Sequence, residues 1–442
     1  MYLLENVLRH YAWGSRTAIA GLLGREPSGN PEAELWVGAH PDSPSTTTLP
    51  DASRVGLDTL IAADPQHMVG SGSAARYGAR LPYLLKVLAA GESLSLQVHP
   101  SLEQAAAGFA AENAAGIPVD SPGRNYRDAN HKPEMILALT AFEALCGFRP
   151  LAEAAAVFDQ LRDCSPGAPA DALLAEIGSQ LRRGTASALQ EAFTRLLAVD
   201  AGVVQSMHDA AARALGRTPD SSAMQVELRT VVELGSQHPG DPGVLLALLL
   251  NRVALQPGEV IYLPAGNIHA YLSGLGIEVM ASSDNVLRGG LTPKHVDTAE
   301  LLRTVVFEPL APPSLRPETT ALGQELYCPP FGEFQLQRIE LAAGTALDST
   351  SADVPLVQNG PVVIVVLAGS LLLDSPAGDL RLDRGQSAFI PAGEAPVMVR
   401  PARPGQQDPG QQDPAHANAN LSGGNTTVPE PALAFAVTVG SV

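Results

Sequence analysis

Residues 93–101 read SLSLQVHPS. Polar and apolar residues alternate, so on a strand Ser95, Gln97 and His99 share one face. That face carries an amide oxygen and an imidazole at the spacing of metal ligands. A polar barrel lining is the plainer alternative. Residues 130–135 read NHKPEM. Proline favours an extended entry to the apolar run that follows, which puts Lys132 and Glu134 on one side and His131 on the other. Residues 263–297 bring His269, Tyr271, Glu278, Asp284, Arg288 and Lys294 into one Gly-rich stretch. Nothing there matches a phosphate loop, since GGLTPK has the wrong order for GxxxxGK[ST]. Arg288 is a candidate anion clamp.

Together, Gln97, His99, Glu134 and His269 make a mixed nitrogen and oxygen set that suits zinc or a similar divalent ion. No cysteine lies near them in sequence. Lys86, Lys132, Arg288 and Lys294 add positive charge to the same segments, and local positive charge in an acidic chain implies an anionic ligand, most simply a phosphate.

The elements that must position these residues fall into zones. Residues 1–148 mix short strand-like runs with Gly/Pro turns. Residues 149–236 are rich in Ala, Leu, Glu and Arg at helical spacing, which predicts a helical domain. Asp241 followed by Pro242 reads as a capped helix start for VLLALLLNRV. Strands and turns resume over 253–310, and 316–442 is β-rich again. Residues 401–427 turn to Pro, Gly, Gln, Asn and Asp, the composition of a flexible loop. One repeat stands out: 258–266 is GEVIYLPAG and 385–393 is GQSAFIPAG. It suggests two copies of one small β-barrel unit. The position matching His269 in the second copy is Pro396, so the first copy is the one equipped for chemistry.

The chain has 442 residues with 28 Lys+Arg against 46 Asp+Glu, a formal net charge of −18. Only Lys86, Lys132 and Lys294 are lysines. This balance, without a basic stripe, argues against nucleic-acid binding. The longest apolar runs fall far short of the ~20 residues that span a bilayer, and the first residues lack the pattern of a secretion signal. Cys146, Cys164 and Cys328 form no disulfide framework or CxxC pair, which fits the cytoplasm.

Six segments carry a family resemblance: YAWGS (11–15), AELWVGAHP (33–41), LPYLLKVLAAGESLSLQVHP (81–100), NHKPEM (130–135), LPAGNIHAYLSG (263–274) and SSDNVLRGGLTPKHVD (282–297). In these the chain resembles the type I mannose-6-phosphate isomerase family of zinc-dependent cupins. The resemblance implies a mainly β fold with an α-helical insertion. Its units would be a catalytic cupin from 1–148 and 237–315, a helical domain at 149–236, and a degenerate cupin at 316–442. It implies one Zn2+ per chain on Gln97, His99, Glu134 and His269, with Arg288 in the active site. The implied activity interconverts mannose 6-phosphate and fructose 6-phosphate through an enediol. Arg288 would stabilise the enediolate charge. Glu278, Lys132 and His131 are the candidates for moving the proton. Ser95, Lys86, Tyr271, Asp284 and Lys294 are candidates for holding substrate, and Lys132 is also a candidate for phosphate. The expected partner is a sugar phosphate, with no nucleic acid, no membrane and a monomeric chain. Two other readings start from the same residues. An iron(II) cupin oxygenase would use His99, Glu134 and His269 as a facial set, and a non-catalytic cupin would only bind the sugar phosphate.

Overall fold

A computed structural model describes residues 1–163, 170–217, 224–342, 353–402 and 431–441. Its centre is a ten-stranded sheet in which one strand, His269–Ala281, does two jobs. The first residues of this long strand pair with Phe142–Phe148 and, at His269, with Gln97. Its later residues pair with Tyr83–Ala90 on one side and Glu134–Ala138 on the other. The change of partners falls at a register shift between Tyr271 and Ser273. Gly274 follows at φ +121°, where a Cβ would stand 2.7 Å from the carbonyl oxygen of Ala141. A bulge and a glycine bend a strand and raise its twist, so the one strand serves two halves of the sheet.

Each half has an apolar outer face with its own cover. Leu85, Val87, Met135, Leu137, Ile277 and Val279 share a cluster with Val363, Val365, Phe435 and Val437 of a seven-stranded sheet formed largely by the C-terminal part. Leu96, Val98, Leu145, Ala270 and Leu287 share another with Phe158, Ile177, Phe193 and Val231 of the helical layer. Full burial of such side chains stabilises by about 1.5–3 kcal/mol each. Both halves are thereby fixed from outside, and their inner faces hold a further apolar cluster, with Leu88, Ile136, Ala144 and Ile261 among its members, beside the polar groups of the site.

The helical layer is Leu151–Asp163, Asp171–Leu181, Ala186–Leu197, Ala201–Leu215 and Met224–Gln237, where helical spacing places it. The helix expected over VLLALLLNRV ends early. Gly243–Leu246 is α-helical and Ala247–Leu249 is a 3-10 turn, but Leu250–Leu255 is a strand paired with Phe142–Phe148. A buried apolar run carries no periodicity that separates helix from strand, and pairing with an open sheet edge decides it.

The nine-residue repeat has a structural counterpart. Gly258 (φ +90°) and Gly385 (φ +87°) each turn the chain into a four-residue strand, Val260–Leu263 and Ser387–Ile390. In the C-terminal part a four-stranded sheet lies against the seven-stranded one across Ile364, Val366, Leu371, Leu373 and Val399. The strand Tyr2–Leu4 pairs with Ser387–Ile390, an exchange the sequence zones do not signal. Most of the 401–427 loop lies outside the described residues, as does Cys164; Cys146 and Cys328 are free thiols. Among the described residues no helix is long and apolar enough to cross a membrane.

Gly274→Ala should destabilise the fold by at least about 2 kcal/mol, from positive-φ strain and a backbone clash. Urea denaturation checks this, and an unchanged midpoint would mean that the bend does not depend on glycine.

Candidate metal centre and active site

The register of the sheet lines up the donors. His269 lies opposite Gln97, and Gln97 lies opposite Arg288, so these three share the inner face. His99 follows one residue after the strand Leu96–Val98. The helix Leu102–Ala114 then starts at a reciprocal cap, in which Ser101 Oγ accepts from the Gln104 N–H and the Gln104 side chain accepts from the Ser101 N–H. This cap fixes the chain just beyond His99. Glu134 opens its strand between Leu263 and Met280.

The Glu134 carboxylate is buried with three nitrogens around it. Lys132 Nζ is 2.9 Å from Oε1, His99 Nε2 is 3.2 Å from Oε1 and His269 Nε2 is 3.4 Å from Oε2. His99 Nδ1 donates to the carbonyl oxygen of Asn285 at 2.8 Å, and His269 Nδ1 donates to that of Asn267 at 3.0 Å. Each bond assigns the ring proton to Nδ1 and leaves Nε2 bare. Burial pushes the His99 pKa down to about 4, so the ring is neutral at physiological pH. Burial opposes the Glu134 charge, but Lys132, His99 and His269 together hold the carboxyl well below its usual range.

Bare nitrogens facing a carboxylate repel unless a cation lies between them. His99 Nε2 is buried and has no hydrogen-bond partner, and the ligand atoms of His99, Glu134 and His269 lie within 4.8 Å of one another. Two imidazoles oriented by carbonyls around one carboxylate are the donor set and outer support of a divalent-metal site. The residues present therefore fit a metal ion.

A second buried charge set lies on the same inner face. Lys86 Nζ contacts Glu278 at 2.8 Å and Glu34 at 3.4 Å, and it sits 5.2 Å from the centroid of the Trp36 ring. Burial works against the ammonium, yet Glu278, Glu34 and Glu134 outweigh it and raise its pKa. The Trp36 indole N–H donates to Glu34 at 2.7 Å. Burial, with Glu134 and Glu34 nearby, raises the Glu278 carboxyl despite Lys86. Lys86 and Glu278 thus meet each other in the interior. His131 bonds through Nε2 to Glu333 at 2.7 Å, on the opposite side from Lys132 as the Pro133 spacing predicts. The Tyr271 hydroxyl is buried and lacks a partner, and Ser95 is half-buried.

The third set consists of cations without acids. Burial and Arg127 push the Arg288 guanidinium below its ordinary pKa. Burial, Arg288 and Arg127 do the same to Lys294. No carboxylate appears among the partners of these three side chains within the described residues. Arg127 was missed in the sequence, because an Arg in NYRD carries no motif. It is brought in by Asn285, whose buried amide accepts from the Arg127 and Asp128 N–H groups and donates to the Asp128 and Asn130 carbonyls. The Asn285 carbonyl orients His99, so one residue ties the 127–134 loop to the metal group. A cavity of about 550 Å³ opens alongside, lined by His40, Arg127, Asn130 and Asp284 but not by His99, Glu134 or His269. The Asp42 N–H donates to His40 Nδ1 at 3.3 Å, and His40 Nε2 faces Asp284 Oδ1 at 3.5 Å.

Fold and site together define a protein with a His–carboxylate metal-binding group on the shared strand of a two-part sheet, beside unneutralised cations. The family model for the catalytic domain of phosphomannose isomerase type I matches residues 1–151. The chain is similar to mannose-6-phosphate isomerase of Escherichia coli (strain K12), with 38% identity over 402 residues, covering 90% of this chain and 97% of that one. It is 32% identical to the Bos taurus mannose-6-phosphate isomerase, covering 89% and 93%. A solved zinc-bound mannose 6-phosphate isomerase superposes with a TM-score of 0.80 at 33% identity, covering 100% of this chain and 99% of that one. The chain belongs to the type I phosphomannose isomerase family, as its six segments indicate.

In metal-free protein the depressed His99 pKa has a stability sign. Unfolded His99 takes up a proton below pH ~6.5 and the folded residue only near pH 4, so stability should fall as pH drops through this window. Urea titrations should show this slope, worth up to a few kcal/mol, and its flattening in His99→Gln.

Proposed function

We propose that this protein interconverts mannose 6-phosphate and fructose 6-phosphate. One observation carries the reading: two bare, carbonyl-oriented imidazoles and a buried carboxylate converge beside three cations without acids, in a chain of this family. Family membership favours it over the oxygenase and the binding module.

Zinc on Gln97, His99, Glu134 and His269 would supply Lewis-acid polarisation of the sugar oxygens at C1 and C2. The chain's own residues do the rest. Arg127, Arg288 and Lys294 take the phosphate, since a dianion relieves their mutual repulsion and replaces water lost on burial. Arg288 neighbours Gln97 across the sheet, so it also faces charge that develops on the enediolate oxygens. Proton transfer between C2 and C1 needs a group within hydrogen-bond reach of both carbons. All three candidates are paired, Lys132 with Glu134, Glu278 with Lys86 and His131 with Glu333, but only Lys132 is paired with a residue of the metal-binding group itself. We therefore assign the proton to Lys132, which takes it from C2 as the neutral amine and returns it to C1 from the ammonium so formed. The buried Lys86–Glu278–Glu34 set fixes the charge behind the centre. Ser95 and Tyr271 offer hydroxyls on the inner face, and Asp284, backed by His40, offers a carboxylate to the sugar.

The fold supports a finer architectural reading as well. The two halves of the ten-stranded sheet form one cupin-like barrel, drawn from 1–148 and 237–315. Residues 149–236 form the helical unit, and 316–442 form a second cupin-like unit with no such metal-binding group among its described residues.

A coupled assay with mannose 6-phosphate should show activity that chelation abolishes and zinc restores. Arg288→Lys keeps charge but loses the planar fork, and it should lower kcat by roughly 10²–10³-fold with zinc content unchanged. Stoichiometric iron with oxygen uptake, and no isomerase activity, would overturn the reading.

A further inference from the structure

Arg288 and Lys294 are joined by a turn that needs outside support. Gly290 has φ +133° and Leu291 has φ +54°, a region that leucine rarely occupies. A Cβ at Gly290 would stand 2.8 Å from Gly243 Cα and 2.9 Å from Asp241 Oδ1, so the turn is pressed against the segment that follows the helical layer. There, one side chain holds it. Asp241 Oδ1 accepts from the Leu291 N–H at 2.9 Å and from the Gly243 N–H at 2.7 Å, and Oδ2 accepts from the Thr292 N–H at 3.1 Å. Thr292 Oγ1 then accepts from the Lys294 N–H at 3.2 Å. A chain of hydrogen bonds thus runs from Asp241 to the backbone of Lys294.

The Asp241–Pro242 pair reads in sequence as a helix cap, and Asp241 does bind the Gly243 N–H. Its other two bonds go to a loop fifty residues further on. Backbone amides occupy the carboxylate, and among the described residues it forms no ion pair with Arg288 or Lys294. We propose that Asp241 is a positioning residue for the substrate's phosphate: it holds the strained 290–292 turn and so sets how Arg288 and Lys294 present their charges. This rests on the reading that these cations bind phosphate.

The test compares Asp241→Asn with Lys294→Gln in the zinc-loaded enzyme. It reads kcat, KM for mannose 6-phosphate, competitive inhibition by inorganic phosphate, and zinc content. Asn keeps one acceptor oxygen but turns an N–H toward an amide donor. Asp241→Asn should raise KM and the phosphate inhibition constant together, roughly tenfold or more, with zinc content unchanged and with any fall in kcat smaller than that of Arg288→Lys. Normal phosphate inhibition in Asp241→Asn, alongside weakened inhibition in Lys294→Gln, overturns the positioning role and leaves the phosphate reading standing. Normal inhibition in both variants removes the phosphate reading and the proposal with it. A fall in kcat with loss of zinc marks a general structural role and also overturns it. If Asp241→Asn does not fold, Thr292→Val breaks only the last link, and it should give a smaller shift in the same direction; no shift there counts against the proposal.

Discussion

A carboxylate buried against two bare imidazole nitrogens is the constraint around which this protein is built. Glu134 is ionised, and His99 is neutral and has its proton on the far side of the ring. Such an arrangement is unfavourable without a cation, because the lone pairs meet across little more than 3 Å. Its surroundings keep the alternatives closed. The Asn285 and Asn267 carbonyls hold the ring protons away from the centre, and Lys132 supplies only one positive charge. The fold keeps together a donor set whose mutual repulsion a divalent ion would relieve.

The neighbouring charges follow two opposite rules. Glu34, Lys86 and Glu278 are compensated: each buried charge has a partner within about a hydrogen bond's length, as burial of ions demands. Arg127, Arg288 and Lys294 are uncompensated and repel one another. A protein gains no stability from such a group, and its occurrence beside a metal centre is the ground for proposing it as the substrate's phosphate site. Asn285 and Asp241 explain how the group persists. Both use neutral backbone bonds, and neither neutralises the charges it helps to place.

Much of the centre was legible in sequence because it rests on local periodicity. Alternation in SLSLQVHPS puts Gln97 on the inner face just before His99, and the proline in NHKPEM separates Lys132 from His131. The helical layer was legible from composition. What was not legible depends on contacts between distant segments. Arg127 enters the site only through the amide of Asn285. His131 meets Glu333, about 200 residues away, and Lys86 meets Glu278 across a strand pair. The misread helix at VLLALLLNRV has the same origin: an apolar run takes its conformation from the strand edge it meets. Asp241 was visible as a cap, but its bonds to Leu291 and Thr292 were not.

The scarcity of lysine also acquires a physical reading, and it differs among the three. Lys86 and Lys132 are buried, each with its ammonium held by carboxylates. A guanidinium there would bring a wide planar fork with five donors into a space built for a compact charge. At both positions the ammonium packs against acids. Only Lys294 is exposed and free of acids. The charges then add up in a specific way. Three buried carboxyl groups, Glu34, Glu134 and Glu278, face two buried ammoniums, and with all three ionised one negative charge is left over. A divalent ion turns that into one positive charge. The interior of an acidic chain is thereby made attractive to an anion, which is consistent with the proposal that the outer cations take a phosphate.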